Sequence, residues 1–167
     1  MSVSEPNHVT IYTDGACLGN PGPGGFGAVL LYGSQSKTPH LSERRELSGG
    51  FRRTTNNRME MMAAISALEV LKEPCQVTLY SDSQYLVNAM SLGWAQRWRA
   101  NGWKRNKRER AINPDLWARL LDLCDYHRVE FLWVRGHAGT RENEQCDRLA
   151  VAAAQQPGLP VDQGYGA

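Results

Sequence analysis

Alternating apolar residues form the first clear pattern in the chain. β-Branched and aromatic residues dominate residues 9–13, and apolar residues return over 26–32, so each stretch predicts a β-strand. Between them, residues 20–25 read NPGPGG, which has the composition of a turn. The pattern predicts a hairpin of two strands joined by a wide, glycine-rich loop.

Strand and helix patterns then alternate along the chain. Strand patterns occur at residues 41–51, where the signal is weak, at 77–80 and at 129–134. Apolar residues recur with helical spacing at 61–71, 84–90, 115–124 and 141–153. A strand, a helix and a following strand form a right-handed crossover, which makes the two strands parallel. The order of elements predicts a single α/β domain.

Two acidic residues follow strands that are predicted to be parallel neighbours. Asp14 follows the first strand, and Asp82 follows the strand at 77–80. Functional sites of open α/β sheets lie at the carboxyl ends of parallel strands, so a shared site is expected there. Each residue also has a simpler interpretation: Asp14 could open the turn, and Asp82 could cap the next helix.

Two further acidic residues lie on predicted helices. Glu60 is in the first turn of the helix between those strands, where it could simply complement the helix dipole. Asp147 occupies a helix interior, which disfavours Asp, so it is either plain surface or part of a site. Four converging carboxylates would repel one another unless divalent cations bound them, and oxygen ligands favour Mg²⁺ over zinc. Two ions could hold the attacking water and the leaving oxygen of a phosphodiester.

Charge is distributed unevenly along the 167 residues. The formal net charge is only +2, but residues 93–112 contain seven Lys or Arg and one acidic residue. The remainder carries 12 basic and 16 acidic residues. Trp94, Trp98 and Trp103 are interleaved with the basic residues, and this combination suits a nucleic-acid surface. The tryptophans could also anchor a surface helix to the body of the protein.

The remaining features bear on loops, termini and compartment. His137 lies in a loop with glycine on both sides, where most histidines are solvated surface groups. Residues 156–167 are rich in Gly and Pro and predict a flexible tail. The first ten residues lack the pattern of a signal peptide, and the four cysteines lack metal-type spacing. We therefore expect reduced thiols in a cytoplasmic protein.

Several blocks of the sequence resemble the signature blocks of type 1 ribonuclease H, the bacterial form. These blocks are YTDGACLGNPGPGG, TTNNRMEMMAAI, YSDSQYL, DLWARLL and GHAGTRENEQCDRLA, and the similarity extends over residues 8–154. The resemblance implies an α/β fold with a five-stranded mixed sheet, three antiparallel strands and then two parallel ones, flanked by helices on both faces. It also implies one catalytic domain over residues 1–155, with a basic protrusion at about 93–112.

The resemblance further implies roles for individual residues. The catalytic metal ligands would be Asp14, Glu60, Asp82 and Asp147, holding two Mg²⁺ ions for which Mn²⁺ could substitute. His137 would handle protons or assist product release. Minor-groove contacts would come from Asn20, Asn56 and Gln84. A pocket for a phosphate of the DNA strand would consist of Arg53, Thr55 and Asn113, and the basic protrusion would include Trp94 and Trp98.

Together these features predict a monomeric, metal-dependent endonuclease. It would hydrolyse the RNA strand of an RNA/DNA hybrid and leave 5′-phosphate and 3′-hydroxyl ends. One alternative is a structure-specific DNA nuclease of the same fold, which the basic protrusion and the TTNNRME block disfavour. The other is a hybrid-binding module without turnover, which would have no need for four carboxylates.

Overall fold

The computed structural model describes residues 7–33, 43–136 and 141–165. Within these ranges the strands are β1 (Asn7–Cys17), β2 (Gly22–Tyr32), β3 (Arg44–Thr54), β4 (Cys75–Ser81) and β5 (Arg128–Trp133). The helices are α1 (Asn56–Glu69), α2 (Gln84–Ser91), α3 (Trp94–Ala100), α4 (Pro114–Tyr126) and α5 (Arg141–Ala154).

The strands form one mixed sheet in the order β3-β2-β1-β4-β5. β1 pairs with β2 and β2 with β3 in antiparallel fashion, whereas β1 with β4 and β4 with β5 are parallel. The predicted five-stranded sheet, with three antiparallel and then two parallel strands, is therefore confirmed.

The glycine-rich stretch behaves differently from the prediction. Gly22 to Gly25 belong to β2, and the turn between the strands is confined to residues 18–21. A Cβ on Gly25 would lie 2.0 Å from the carbonyl oxygen of Ala150, and one on Gly27 would lie 2.5 Å from that of Cys146. These glycines therefore serve the close packing of α5 on the strand, which residue propensities alone do not reveal.

Helix α1 lies on the opposite face of the sheet from α5. It contacts β1, β2 and α4, and most of its residues are buried, among them Met59, Ile65 and Leu68. The side chain of Thr55 caps its first turn by accepting a hydrogen bond from the backbone nitrogen of Arg58. The helix therefore begins at Asn56, before the apolar pattern at 61–71 that predicted it.

The C-terminal segment was predicted to be a flexible tail, and its described residues are instead held against the body. The backbone nitrogen of Arg52 donates to the carbonyl of Pro160 at 2.9 Å, and the Arg52 Nε donates to that of Leu159 at 3.1 Å. Asp162 is only 6% exposed. The prediction rested on amino-acid composition, and composition carries no information about contacts between residues that are far apart in the chain.

Two further observations complete the fold. All four cysteines are free thiols, as expected. Among the described residues, no helix is both long enough and apolar enough to cross a bilayer.

Candidate active site

Three carboxylates meet at the edge of the sheet where β1 and β4 stop pairing. Each of Asp14, Glu60 and Asp82 offers one oxygen, and these atoms all lie within 4.8 Å of one another. Asp14 lies on β1 two residues beyond Tyr12, its last partner for β4, and Asp82 directly follows β4. The strand β1 continues to Cys17, so Asp14 lies within the strand rather than at its predicted end.

Two glycines allow this convergence. A Cβ on Gly15 would lie 2.5 Å from the backbone nitrogen of Glu60, so only glycine lets α1 approach β1 this closely. A Cβ on Gly136 would lie 3.0 Å from Asp82 Oδ2. Gly15 therefore brings the backbone of α1 close to β1, and Gly136 brings a loop backbone close to the Asp82 carboxylate.

The simpler interpretations of these acidic residues do not account for their positions. Ser83, rather than Asp82, caps α2, because its side chain accepts a hydrogen bond from the backbone nitrogen of Leu86. Glu60 lies in the second turn of α1, beyond the predicted first turn and the strongest part of the helix dipole. Asp14 does accept a 2.9 Å hydrogen bond from the backbone nitrogen of Gly15, but within the strand.

Crowding of negative charge dominates the electrostatics of the site. Burial, followed by the negative charge of Asp82, raises the pKa of Asp14 to about 8. Burial and then the charges of Asp14 and Asp82 also raise the pKa of Glu60 well above its ordinary value. Without a counter-ion, the cluster therefore holds protons at neutral pH that isolated carboxyl groups would release.

The residues fit a divalent cation. Glu60 Oε2 is buried and has no hydrogen-bond partner among the described residues. A buried carboxylate oxygen without a partner is costly, and a cation would satisfy it. The donors are all carboxylate oxygens, which matches Mg²⁺ or Mn²⁺ rather than a soft metal.

Asp147 joins the site from the opposite face of the sheet. A cleft of about 360 Å³ is lined by Asp14, Gly15, Asn56, Asn57, Glu60, Asp82, Ser83 and Asp147. Asp147 contributes to the raised pKa of Asp14 but lies outside the tight group of three carboxylates. His137 lies outside the described residues.

The predicted minor-groove residues flank the cleft. Asn20 Oδ1 accepts a 3.1 Å hydrogen bond from the backbone nitrogen of Asn56, so these two residues are adjacent. Asn56 itself lines the cleft. Gln84 is exposed at the first position of α2, after the Ser83 cap.

Two residues of the predicted phosphate pocket contact Arg58, a residue that sequence reasoning missed. Arg58 donates a hydrogen bond through its backbone nitrogen to Thr55 Oγ1 at 3.3 Å and through Nη1 to Asn113 Oδ1 at 3.0 Å. Arg53 is exposed at the end of β3. Sequence reasoning missed Arg58 because a single arginine among polar residues is typical of the exposed surface of a helix.

The tryptophans of the basic segment differ in their surroundings. Trp98 is 8% exposed and packs edge-on against Trp117, with ring centroids 5.7 Å apart. It therefore anchors α3 to the body, as the alternative interpretation held, and leaves little surface for a substrate. Trp94 is half-buried beside Trp98, and all residues from 104 to 110 are exposed.

Comparison with known proteins gives consistent results. The family model for RNase H matches residues 6–155. A ribonuclease H of Syntrophus aciditrophicus is 66% identical over 157 residues, covering 94% of this chain and 86% of that protein. A ribonuclease HI of Synechocystis sp. is 60% identical over 163 residues, covering 98% of both. The crystal structure of LC9-RNase H1, described as a type 1 RNase H with the type 2 active-site motif, superposes with a TM-score of 0.79 at 36% identity, covering 92% of this chain and 74% of that one.

Proposed function

This chain belongs to the type 1 ribonuclease H family, and we propose that it is an endonuclease that hydrolyses the RNA strand of RNA/DNA hybrids. Asp14, Glu60, Asp82 and Asp147 are the proposed ligands of two Mg²⁺ ions, for which Mn²⁺ could substitute. The proposed products carry 5′-phosphate and 3′-hydroxyl ends. The protein would act as a monomer, with the hybrid duplex as its partner.

Convergence of three carboxylates is the observation that carries this proposal. Oxygen atoms of Asp14, Glu60 and Asp82 within 4.8 Å of one another create a strong negative potential that a folded protein does not maintain without cost. Bound divalent cations supply charge neutralisation, a water of lowered pKa and stabilisation of the leaving oxygen. A module that only bound hybrids would gain nothing from the raised pKa of Asp14 and Glu60.

The protein's own residues orient the substrate around this cluster. Asn20, Asn56 and Gln84 are the proposed contacts in the minor groove, where 2′-hydroxyl groups distinguish RNA from DNA. Arg53, Thr55 and Asn113 would hold a phosphate of the DNA strand, so both strands of the hybrid would be recognised. His137 would transfer a proton or assist product release.

The basic segment at 93–112 would provide further contacts that bind the hybrid. Its exposed residues 104–110 include five basic side chains, which suits phosphate contacts that are independent of sequence. Trp94, which stays partly exposed as Trp103 does, is the proposed contact of this segment for a sugar or base.

A comparison of three duplexes tests the proposal. The protein is incubated with an RNA/DNA hybrid, duplex DNA and duplex RNA of one sequence, first with Mg²⁺ and then with EDTA. We expect cleavage of the hybrid alone, in its RNA strand, and only with Mg²⁺. Cleavage of duplex DNA would favour the structure-specific DNA nuclease, and tight hybrid binding without cleavage would favour the binding module.

A further inference from the structure

Arg58 is a buried cation whose hydrogen bonds are all made within the protein. Its side chain is 2% exposed, although it belongs to the helix that carries Glu60. Nε and Nη2 donate to the two carboxylate oxygens of Asp162 at 2.7 and 2.9 Å. Nη1 and Nη2 donate to those of Asp115 at 3.0 and 2.7 Å. With the bond from Nη1 to Asn113, all five guanidinium N–H groups are used.

One of these partners comes from the far end of the chain. Asp162 lies 104 residues from Arg58, in the segment 157–165, which we call the C-terminal strap. Besides Arg58, Asp162 accepts a 2.7 Å hydrogen bond from Thr54 Oγ1. A Cβ on Gly164 would lie 1.9 Å from Asp115 Oδ2, so the strap packs its backbone directly on the ion pair. The strap thus lies against the cluster, in which Arg58 and Asp162 are buried while Asp115 stays partly exposed.

Thr55 and Asn113 of the proposed phosphate pocket contact Arg58 directly, and Arg53 adjoins the cluster along the chain. Thr54, which binds Asp162, stands between Arg53 and Thr55 in the chain. Thr55 caps the turn that presents Arg58.

Asn113 has a left-handed backbone, with φ of 62°, and its side-chain oxygen accepts from Arg58. Because the oxygen is engaged, the amide nitrogen of Asn113 remains as a donor for a phosphate.

We propose that the C-terminal strap positions the phosphate pocket, with Asp162 as the positioning residue. Asp162 holds Arg58 in one orientation, and Arg58 in turn fixes Asn113, just before α4, relative to Thr55, just before α1. Charge-assisted bonds of this kind orient side chains strongly because both partners are shielded from water. Asp162 itself touches no reacting atom, so its contribution lies in affinity for the DNA strand.

The proposal rests on the proposed function, since it presumes that the pocket holds a DNA phosphate. The variants are Asp162→Ala and the milder Asp162→Asn, which keeps the shape and removes the charge. Val77→Ala, in the buried part of β4, serves as a control that destabilises the fold elsewhere. All are assayed well below their melting temperatures, so that each is folded.

The substrates are hybrids in which one DNA phosphate at a time is replaced by a neutral methylphosphonate. For the wild type, we expect one position at which this change raises KM roughly tenfold, the size of one charge-assisted bond. In Asp162→Ala, KM for the unmodified hybrid should rise by a similar factor, and the added penalty at that position should shrink towards none. For Asp162→Asn, both KM and this penalty should lie between the values for the wild type and for Asp162→Ala. Val77→Ala should keep the full penalty of the wild type.

The turnover number separates positioning from chemistry. In both Asp162 variants, kcat at saturating hybrid and its dependence on Mg²⁺ should stay near the wild-type values. An unchanged methylphosphonate penalty in Asp162→Ala or Asp162→Asn, or the absence of any sensitive position in the wild type, would overturn the positioning role while leaving the proposed function intact. A wild-type protein that cleaves no hybrid would instead overturn the proposed function.

Discussion

The indole nitrogen of Trp133 donates a 3.1 Å hydrogen bond to the main-chain carbonyl of Asp82. Trp133 is the last residue of β5 and pairs with Ser81 in the parallel register, so it lies beside the end of β4. The next backbone nitrogen, that of Val134, donates to the carbonyl of Ser81 at 2.9 Å. The end of β5 therefore braces the segment that presents the Asp82 carboxylate.

Replacing Trp133 with Phe should loosen Asp82 without unfolding the protein. The substitution keeps an aromatic ring at a position that is 45% exposed, and it removes the N–H donor together with part of the indole surface. We expect kcat to fall about tenfold and the Mg²⁺ response to shift to higher concentration, because partners of metal ligands typically contribute about 10–100-fold.

The matched control is Tyr126→Phe, an exposed aromatic residue just before the other end of β5. It should leave both quantities unchanged. A Trp133→Phe protein with a normal Mg²⁺ titration would mean that the hydrogen bond has no role in placing Asp82.

The raised pKa of Asp14 predicts how stability varies with pH when no metal is bound. The folded protein keeps a proton on this carboxyl up to a pKa of about 8, whereas the unfolded chain releases it near 3.8. The folded state therefore binds more protons between these values, and the free energy of unfolding falls as pH rises from about 4 to 8. This decrease in the free energy of unfolding is complete above pH 8.

Asp14→Asn should remove this penalty. In EDTA, its melting temperature should equal that of the wild type near pH 4 and exceed it by a margin that grows up to pH 8. Relief of even about 1–2 kcal/mol, well below the roughly 6 kcal/mol that the full pKa change represents, corresponds to several degrees for a chain of this size. Thermal melts across this pH range provide the measurement, and parallel curves for the two proteins would contradict the predicted charge crowding.

The basic segment offers a test that separates substrate binding from catalysis. Lys104, Lys107 and Arg108 are exposed, and within the described part of the chain none of them forms an ion pair. Replacing all three with Gln should raise KM for long hybrids and flatten its dependence on salt, with a slope that falls by roughly 0.7–0.9 for each phosphate that is no longer neutralised. The value of kcat at saturating hybrid should change far less.

Arg99→Gln is the appropriate comparison for that variant. Arg99 forms ion pairs with Asp122 and Asp125, at 3.4 and 3.8 Å, so part of its charge is already used within the protein. For each charge removed, Arg99→Gln should therefore change the salt dependence of KM less than the triple variant does. Coinciding salt slopes for the triple variant and the wild type would show that the segment does not contact phosphate.

Sequence patterns predicted the five strands and four of the five helices that the structure describes, because hydrophobic periodicity is a local property; α3, in the basic segment, was not among them. The placement of Asp14 and Asp82 at one edge also followed from sequence, since a crossover connection fixes two strands as parallel neighbours. The role of the glycines in β2 could not be predicted in this way. Close packing of α5 on Gly25 and Gly27 depends on a helix more than 110 residues further along the chain.

The ion pair between Arg58 and Asp162 illustrates the same limit. Neither residue belongs to a periodic pattern, and the strap around Asp162 has the Gly and Pro content of a loose end. Only the folded sheet brings the end of β3, the first turn of α1 and the strap together. Long-range electrostatic contacts of single residues are therefore the part of this site that sequence reasoning misses.

The most direct test of the account is the cleavage of a hybrid labelled on both strands, measured against free Mg²⁺ concentration. The proteins compared are the wild type, Asp14→Asn and Asp122→Asn, the last being an exposed carboxylate that does not line the cleft. We predict that the wild type and Asp122→Asn cut only the RNA strand, with a rate that rises with Mg²⁺ and vanishes in EDTA. Asp14→Asn should lose at least about 100-fold in kcat. Near-normal turnover by Asp14→Asn, or cleavage that persists in EDTA, would contradict the assignment of the carboxylate cluster as a metal-dependent catalytic site.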